Sequence, residues 1–148
     1  MKINGETHYL WRAVDHEGEV LESYVTKRRD RKAVLKFIRK SMKRYGQPQT
    51  VVTDKLRSYG AALKVISNAD RQQTGGWLNN RAENSHLPLR RRERAMLRFR
   101  QMQCLQKFAS VHSSVHNHFN QERHLYSRAN FKLNGTAALA EWRLLCSE

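Results

Sequence analysis

Thr50-Val51-Val52-Thr53-Asp54 is the stretch on which the fold turns. It is a short apolar run ending on a carboxylate, and a small-residue segment, Ser58-Tyr59-Gly60-Ala61-Ala62-Leu63, follows with helical character. The residues before it also read as a helix. Asp30 is placed to cap it, and Ala33, Val34, Phe37, Ile38, Met42 and Tyr45 fall at helical spacing. Gly46 stops this helix and Pro48 lies just beyond. A strand reached from a helix implies a crossover, so the expected class is α/β, with a mixed sheet flanked by helices.

Upstream, residues 7–14 (Thr-His-Tyr-Leu-Trp-Arg-Ala-Val) are rich in aromatic and β-branched types. Asp15-His16-Glu17-Gly18 makes a turn, and Glu19 to Thr26 reads as the returning strand of a hairpin. Residues 1–5 would be the tail of an earlier strand. Downstream, residues 67–80 read as loop with a short strand around Gln72–Thr74. One long helix is expected from Glu83 or Asn84 to about Asn120, carrying Met96, Phe99, Met102, Leu105, Phe108, Val111, Val115 and Phe119 at steps of three or four. A last helix is expected over Thr136 to Leu145. No repeat or linker interrupts the chain, so its 148 residues are expected to form one domain.

Charge narrows the function. The chain carries 28 Lys and Arg against 13 Asp and Glu, a net charge of +15. Residues 27–44 net +9 and residues 81–107 net +6, so two short segments hold the whole excess. No run of eighteen apolar residues exists, so no membrane partner is expected. The start lacks an apolar signal core, which points to the cytoplasm. Cys104 and Cys146 are too few for a disulfide scaffold and lack zinc spacing. A basic packed domain points to a polyanion, most commonly nucleic acid.

Asp54 closes an apolar strand, at the sheet edge where open α/β folds place ligands. Glu83 comes after 28 intervening residues. Such a carboxylate pair can take Mg²⁺ or Mn²⁺ through oxygen ligands, and two metals serve phosphodiester chemistry. In a chain with 13 acids the pair could arise by chance. Arg90 adds weight, because seven residues place it two helical turns from Glu83 on nearly the same face. Arg91, Arg94 and Arg98 continue a basic stripe, and Lys55 and Arg57 follow Asp54 directly. These six basic residues form the candidate DNA-contacting set. His112 and His116 are four apart, but neither a glutamate between them nor a four-ligand set accompanies them, so packing or DNA contact is the better reading. Trp11, Trp77 and Trp142 read as core or dimer-contact residues.

Val51-Val52-Thr53-Asp54 with Leu56-Arg57-Ser58-Tyr59-Gly60-Ala61-Ala62 resembles the second-aspartate segment of a bacterial insertion-sequence transposase. Asn79-Asn80-Arg81-Ala82-Glu83-Asn84-Ser85-His86 resembles its glutamate segment, with Arg90-Arg91-Arg92-Glu93-Arg94 following. The family is the insertion-sequence-six family (the twenty-six-like elements) of DDE transposases, and the resemblance runs along essentially the whole chain.

The resemblance implies a ribonuclease-H-like domain, with Asp54 and Glu83 as the second and third catalytic, metal-binding acids. It implies Mg²⁺ or Mn²⁺ in a two-metal site, transposon-end and target duplexes as substrates, and a homo-oligomer in the intact family. Arg90 matches a DNA-contacting basic residue, and Asn80 would help fix the helix entry presenting Glu83. No small-molecule substrate is implied, and the site of action would be the bacterial nucleoid.

The sequence also departs from the pattern. Family members carry a first aspartate just before a Lys-Ile-Asn-Gly-like segment, and here Met1 stands at that point. Glu6 and Asp15 are poorly placed to replace it. An N-terminal helical DNA-binding region is likewise expected to be missing, and Gly75-Gly76 loosens the turn before Trp77. The chain alone is therefore expected to be an inactive, truncated copy with an incomplete first strand. A DNA-binding fragment that pairs with or inhibits an intact transposase is the alternative, and a stand-alone metal-dependent nuclease is a third reading.

Overall fold

The computed structural model describes residues 1–147 except Lys55, Leu97, Arg98 and residues 122–124. The candidate DNA-contacting residues Lys55 and Arg98 thus lie outside the described residues. Residues 1–113 form one compact unit and residues 114–148 a second.

The first unit opens on β1 (Lys2–Ile3) and β2 (Glu6–Thr7), an antiparallel pair. Asn4 and Gly5 both take positive φ, 49° and 83°, the geometry of a tight two-residue hairpin turn. A short strand thus precedes the hairpin, as expected of residues 1–5. Their Asn-Gly pair folds the chain back at once.

β3 (Tyr9–Val14) and β4 (Val20–Thr26) form the expected hairpin, with Trp11 opposite Tyr24 and Arg12 opposite Ser23. Asp15 Oδ1 accepts from the backbone N–H of Glu17 and of Glu19, both at 2.9 Å, which shapes the turn. Because side chains alternate along a strand, the hairpin has two working faces. Trp11 points into a core with Val34, Phe37, Ile38, Ala62 and Leu63. Its ring meets Tyr59 edge-on at 5.7 Å, and its Nε1–H donates to Thr26 Oγ1 at 2.8 Å. On the other face, Val25 joins Ile3 and Leu105 in a second core.

α1 (Arg31–Tyr45) is capped as expected, with Asp30 Oδ1 accepting from the Ala33 N–H at 2.9 Å and Gly46 at φ 85° ending it. Some of its basic residues have structural partners. Glu22, only 7% exposed, pairs with Lys40 at 3.2 Å and Arg44 at 3.8 Å, and Lys36 and Lys40 lie over the Tyr24 ring. β5 (Val51–Thr53) follows, then α2 (Arg57–Val65), then β6 (Gln72–Thr74), which pairs parallel with β5. The parallel crossover among the described residues therefore runs from β5 through α2 to β6, and the one expected through α1 is not found, because β4 and β5 share no sheet.

Nor do the described residues form a continuous mixed sheet. Among the described residues the strands form three separate two-stranded sheets, and β3–β4 is not hydrogen-bonded to β5–β6. Each of β3 and β5 has a single partner strand, because no described strand lies between them.

The long helix is also corrected. α3 (Gly76–Ala95) begins earlier than expected, and α4 (Met102–Phe119) is a separate helix. Ring packing explains the break. Phe99 and Phe108 lie 5.3 Å apart at their ring centroids, whereas nine residues of continuous helix would separate them by roughly 13 Å along the axis. Pro88, expected near a helix start, therefore sits in the interior of α3, where it removes one backbone N–H.

In the second unit, α5 (Arg128–Leu145) starts well before Thr136, capped by Ser127. His118, Phe119 and Trp142 cluster with centroid separations of 4.8–5.8 Å, and the His118 ring is 2.7 Å from the Ala138 carbonyl oxygen.

Candidate active site

The carboxyl end of β5 delivers Asp54 to a cavity of about 530 Å³. Its walls are His8, Tyr9 to Arg12 of β3, Arg29, Tyr59, and a stripe of α3 made of Asn79, Ala82, Glu83, His86, Leu87 and Arg90. The two acids singled out in the sequence thus line one cavity, together with Arg90. A second cavity, of about 750 Å³, continues along Ala13, Val14 and the strand β5, with Phe37 and Met42 of α1 and Trp77 and Leu78 of α3 in its walls. The unpaired edges of β3 and β5 both border this space.

Neither acid is idle. Asp54 Oδ1 accepts from the Leu56 N–H at 3.1 Å, and Oδ2 pairs with Arg29 at 3.3 Å. Glu83 Oε1 accepts from Asn79 Nδ2 at 3.1 Å, so Asn79 rather than Asn80 steadies it. Glu83 is well inside α3, two turns from its start, and is not at a helix entry.

Three groups around the acids are shifted by their surroundings. Burial pushes the Tyr59 hydroxyl up to about 12, and the nearby Asp54 charge adds to this. Burial lowers His86 to about 4, with further lowering from Arg12 and Arg90, so its ring is neutral at pH 7. Burial alone lowers Arg12 to about 10, which leaves it cationic at neutral pH.

Arg91, Arg94 and Arg57 are exposed on the surface, available to a large polyanion. Trp77 is 90% exposed, which rules out the core reading for it, whereas Trp11 is buried. Asn79, Arg12, Arg29 and His86 belong to the site without having been singled out as its catalytic or binding residues. The spacing of Asn79 four residues before Glu83 was a usable signal. So was an arginine in a strand between two apolar neighbours, Trp11 and Ala13.

A family model described as a DDE domain, of the IS240 transposase group, matches residues 1–122. The chain belongs to the DDE transposase family. A transposase for insertion sequence-like element IS431mec from Staphylococcus aureus strain Mu50 is 36% identical over 91 residues, covering 58% of this chain and 41% of that protein. The transposase of insertion sequence element IS257 in transposon Tn4003, also from Staphylococcus aureus, matches with the same identity and coverage. An uncharacterized protein, pYV0051, from Yersinia pseudotuberculosis is 35% identical over 66 residues, covering 43% of this chain and 62% of that protein. The chain thus spans well under half the length of the staphylococcal transposases it matches. No solved structure matches it. No helix among the described residues is long and apolar enough to cross a membrane.

DDE domains generally use divalent metal ions. Asp54 and Glu83 offer hard oxygen ligands on one cavity. Among the described residues, however, no group of three His, Cys, Asp or Glu side chains could hold a metal ion. Arg29 also occupies one oxygen of Asp54. The described residues therefore bring two carboxylates, and not three, to this cavity.

Proposed function

We infer that this chain is an incomplete DDE transposase catalytic domain of ribonuclease-H-like type, which engages DNA but does not complete strand transfer by itself. The observation that carries the reading is the placement of Asp54, Glu83 and Arg90 on one cavity, reached from a strand end and from one face of α3. Two oxygen-donor carboxylates beside an arginine suit a phosphodiester: the acids favour a cation, and the guanidinium favours phosphate oxygens. Arg91, Arg94 and Arg57 would extend this to the DNA backbone on either side, and the sequence adds Lys55 and Arg98 to that set. The substrates in this reading are double-stranded transposon ends and target DNA.

In the intact family, Mg²⁺ or Mn²⁺ would supply the activation of water and of the freed 3′-hydroxyl. Here Asp54 and Glu83 would be two of its ligands, and no third carboxylate of the described residues completes the set. We therefore assign the chain's own residues only binding and orienting roles. Asn79 holds Glu83, Arg29 holds Asp54, and Arg90 orients phosphate. Together these support a cavity that holds and orients DNA. They equally favour the reading of a DNA-binding fragment that pairs with, and inhibits, an intact transposase. The unpaired edges of β3 and β5 and the exposed Trp77 suit such association. The test is to mix the purified chain with labelled transposon-end duplex and Mn²⁺. Duplex binding without strand-transfer product is expected, and clear strand transfer would overturn the reading.

A further inference from the structure

Arg12 is 6% exposed, and no carboxylate of the described residues lies within ion-pairing distance of it. Its two terminal nitrogens donate to neutral oxygens only, one to the Ser85 carbonyl of α3 and one to Ser113 Oγ at 3.2 Å. Its Nε–H is buried without a partner. A buried guanidinium with every partner neutral and one donor unsatisfied is costly, and buried charges are ordinarily paired. Burial also leaves it a weaker hold on its proton than an ordinary arginine, which is the signature of a cation short of an anion. The other polar groups near it do not supply one. Ser23 Oγ, at 2.9 Å from Ser113 Oγ, is neutral, and His86 is a neutral ring or a cation, never an anion.

Arg12 lines the same cavity as Glu83 and Arg90, and Arg90 is exposed at its mouth. We propose that Arg12 is an anion-binding residue of this cavity, and that its ligand is a backbone phosphate of DNA held between Arg12 and Arg90. Arg12 is carried on β3 and Arg90 on α3, the helix whose Ser85 carbonyl holds the Arg12 guanidinium. A planar guanidinium locked by Ser85 and Ser113 is preorganised for a phosphate oxygen and loses little freedom when it binds. The proposal rests on reading the cavity as a DNA site, and the experiment separates the two.

Thermal unfolding of the wild-type chain and of Arg12→Met would be followed with added inorganic phosphate, with acetate and chloride at matched ionic strength as controls. Phosphate is expected to raise the wild-type Tm and to leave that of Arg12→Met unmoved. Without phosphate, Arg12→Met is expected to be no less stable than wild type, because it removes a buried cation that nothing neutralises. In parallel, affinity for a short duplex would be measured across salt concentrations. Arg12→Met should bind roughly tenfold more weakly, with a log–log salt slope shallower by about 0.9.

Should Arg12→Met fail to fold, the wild-type chain still decides the matter. Its Arg12 Nε–H resonance, assigned by its loss in Arg12→Lys, should shift saturably with phosphate. An Nε–H signal indifferent to phosphate, or a Tm gain as large with acetate as with phosphate, would overturn the proposal. So would a phosphate effect that survives in Arg12→Met. If the wild type bound phosphate through Arg12 but bound no duplex, the DNA reading of the cavity would fail, and with it the assignment of the ligand to DNA.

Discussion

Asn79 donates from Nδ2 to Glu83 Oε1 at 3.1 Å, one turn apart on the cavity face of α3. On the opposite side Arg29 meets Asp54 Oδ2 at 3.3 Å. Each acid of the cavity is therefore held by one partner that can be removed without touching the core. Both contacts are solvent-accessible, and such contacts contribute little to folding.

Asn79→Ala and Arg29→Ala are accordingly expected to change the unfolding free energy by less than about 1 kcal/mol each. Urea denaturation followed by tryptophan fluorescence would check this. A loss above roughly 2 kcal/mol would show that these residues hold the fold rather than the site.

Stability instead resides where Trp11, Val34, Phe37 and Leu63 meet. Leu63 is fully buried, so Leu63→Ala is expected to cost about 2–5 kcal/mol. Trp77→Ser should stay within about 0.5 kcal/mol, because Trp77 is 90% exposed. The same denaturation curves distinguish the two.

His86 gives the first unit a pH dependence. Its folded value is lowered to about 4 from the usual 6.5, by burial first and then by Arg12 and Arg90. Between those values the unfolded chain takes up a proton that the folded chain refuses. Its contribution is complete above pH 6.5 and is lost as pH falls towards 4, by roughly 3 kcal/mol. His86→Gln should flatten the difference between urea midpoints at pH 7.5 and pH 5. Equal pH dependence in both proteins would contradict the assignment.

The sequence and the structure agree where one local rule decides. The hairpin of residues 9–26, the capping of α1 by Asp30 and the succession of α1 by the short strand β5 all follow from short patterns that tertiary contacts did not disturb. The break between α3 and α4 was not legible, because the spacing of Met96, Phe99 and Met102 fits a continuous helix. Only the docking of Phe99 against Phe108 ends it. The division of the strands into three pairs was hidden for a similar reason. Period-2 patterning marks a strand but does not name its neighbours.

The site was legible in its acids and less so in their supports. Asp54 and Glu83 could be placed by strand end and helix spacing, and Arg90 by two helical turns. Arg12 left only the mark of an arginine between apolar strand neighbours, because the neutral partners that give it significance, Ser85 and Ser113, lie 73 and 101 residues away. The larger of the two basic segments also changed meaning. Lys36, Lys40 and Arg44 serve Glu22, Tyr24 and Tyr45, so part of the +9 is structural.

The central claim is that the cavity of Asp54 and Glu83 opens onto an arginine face of α3 that holds DNA phosphates. The most direct test is duplex affinity across a salt series, for the wild-type chain and for Arg90→Ala, Arg91→Ala and Arg94→Ala combined. The wild type should show a steep linear fall of log affinity with log salt, and the triple variant a slope shallower by about 0.9 for each phosphate contact removed. An unchanged slope in the folded triple variant would contradict the account.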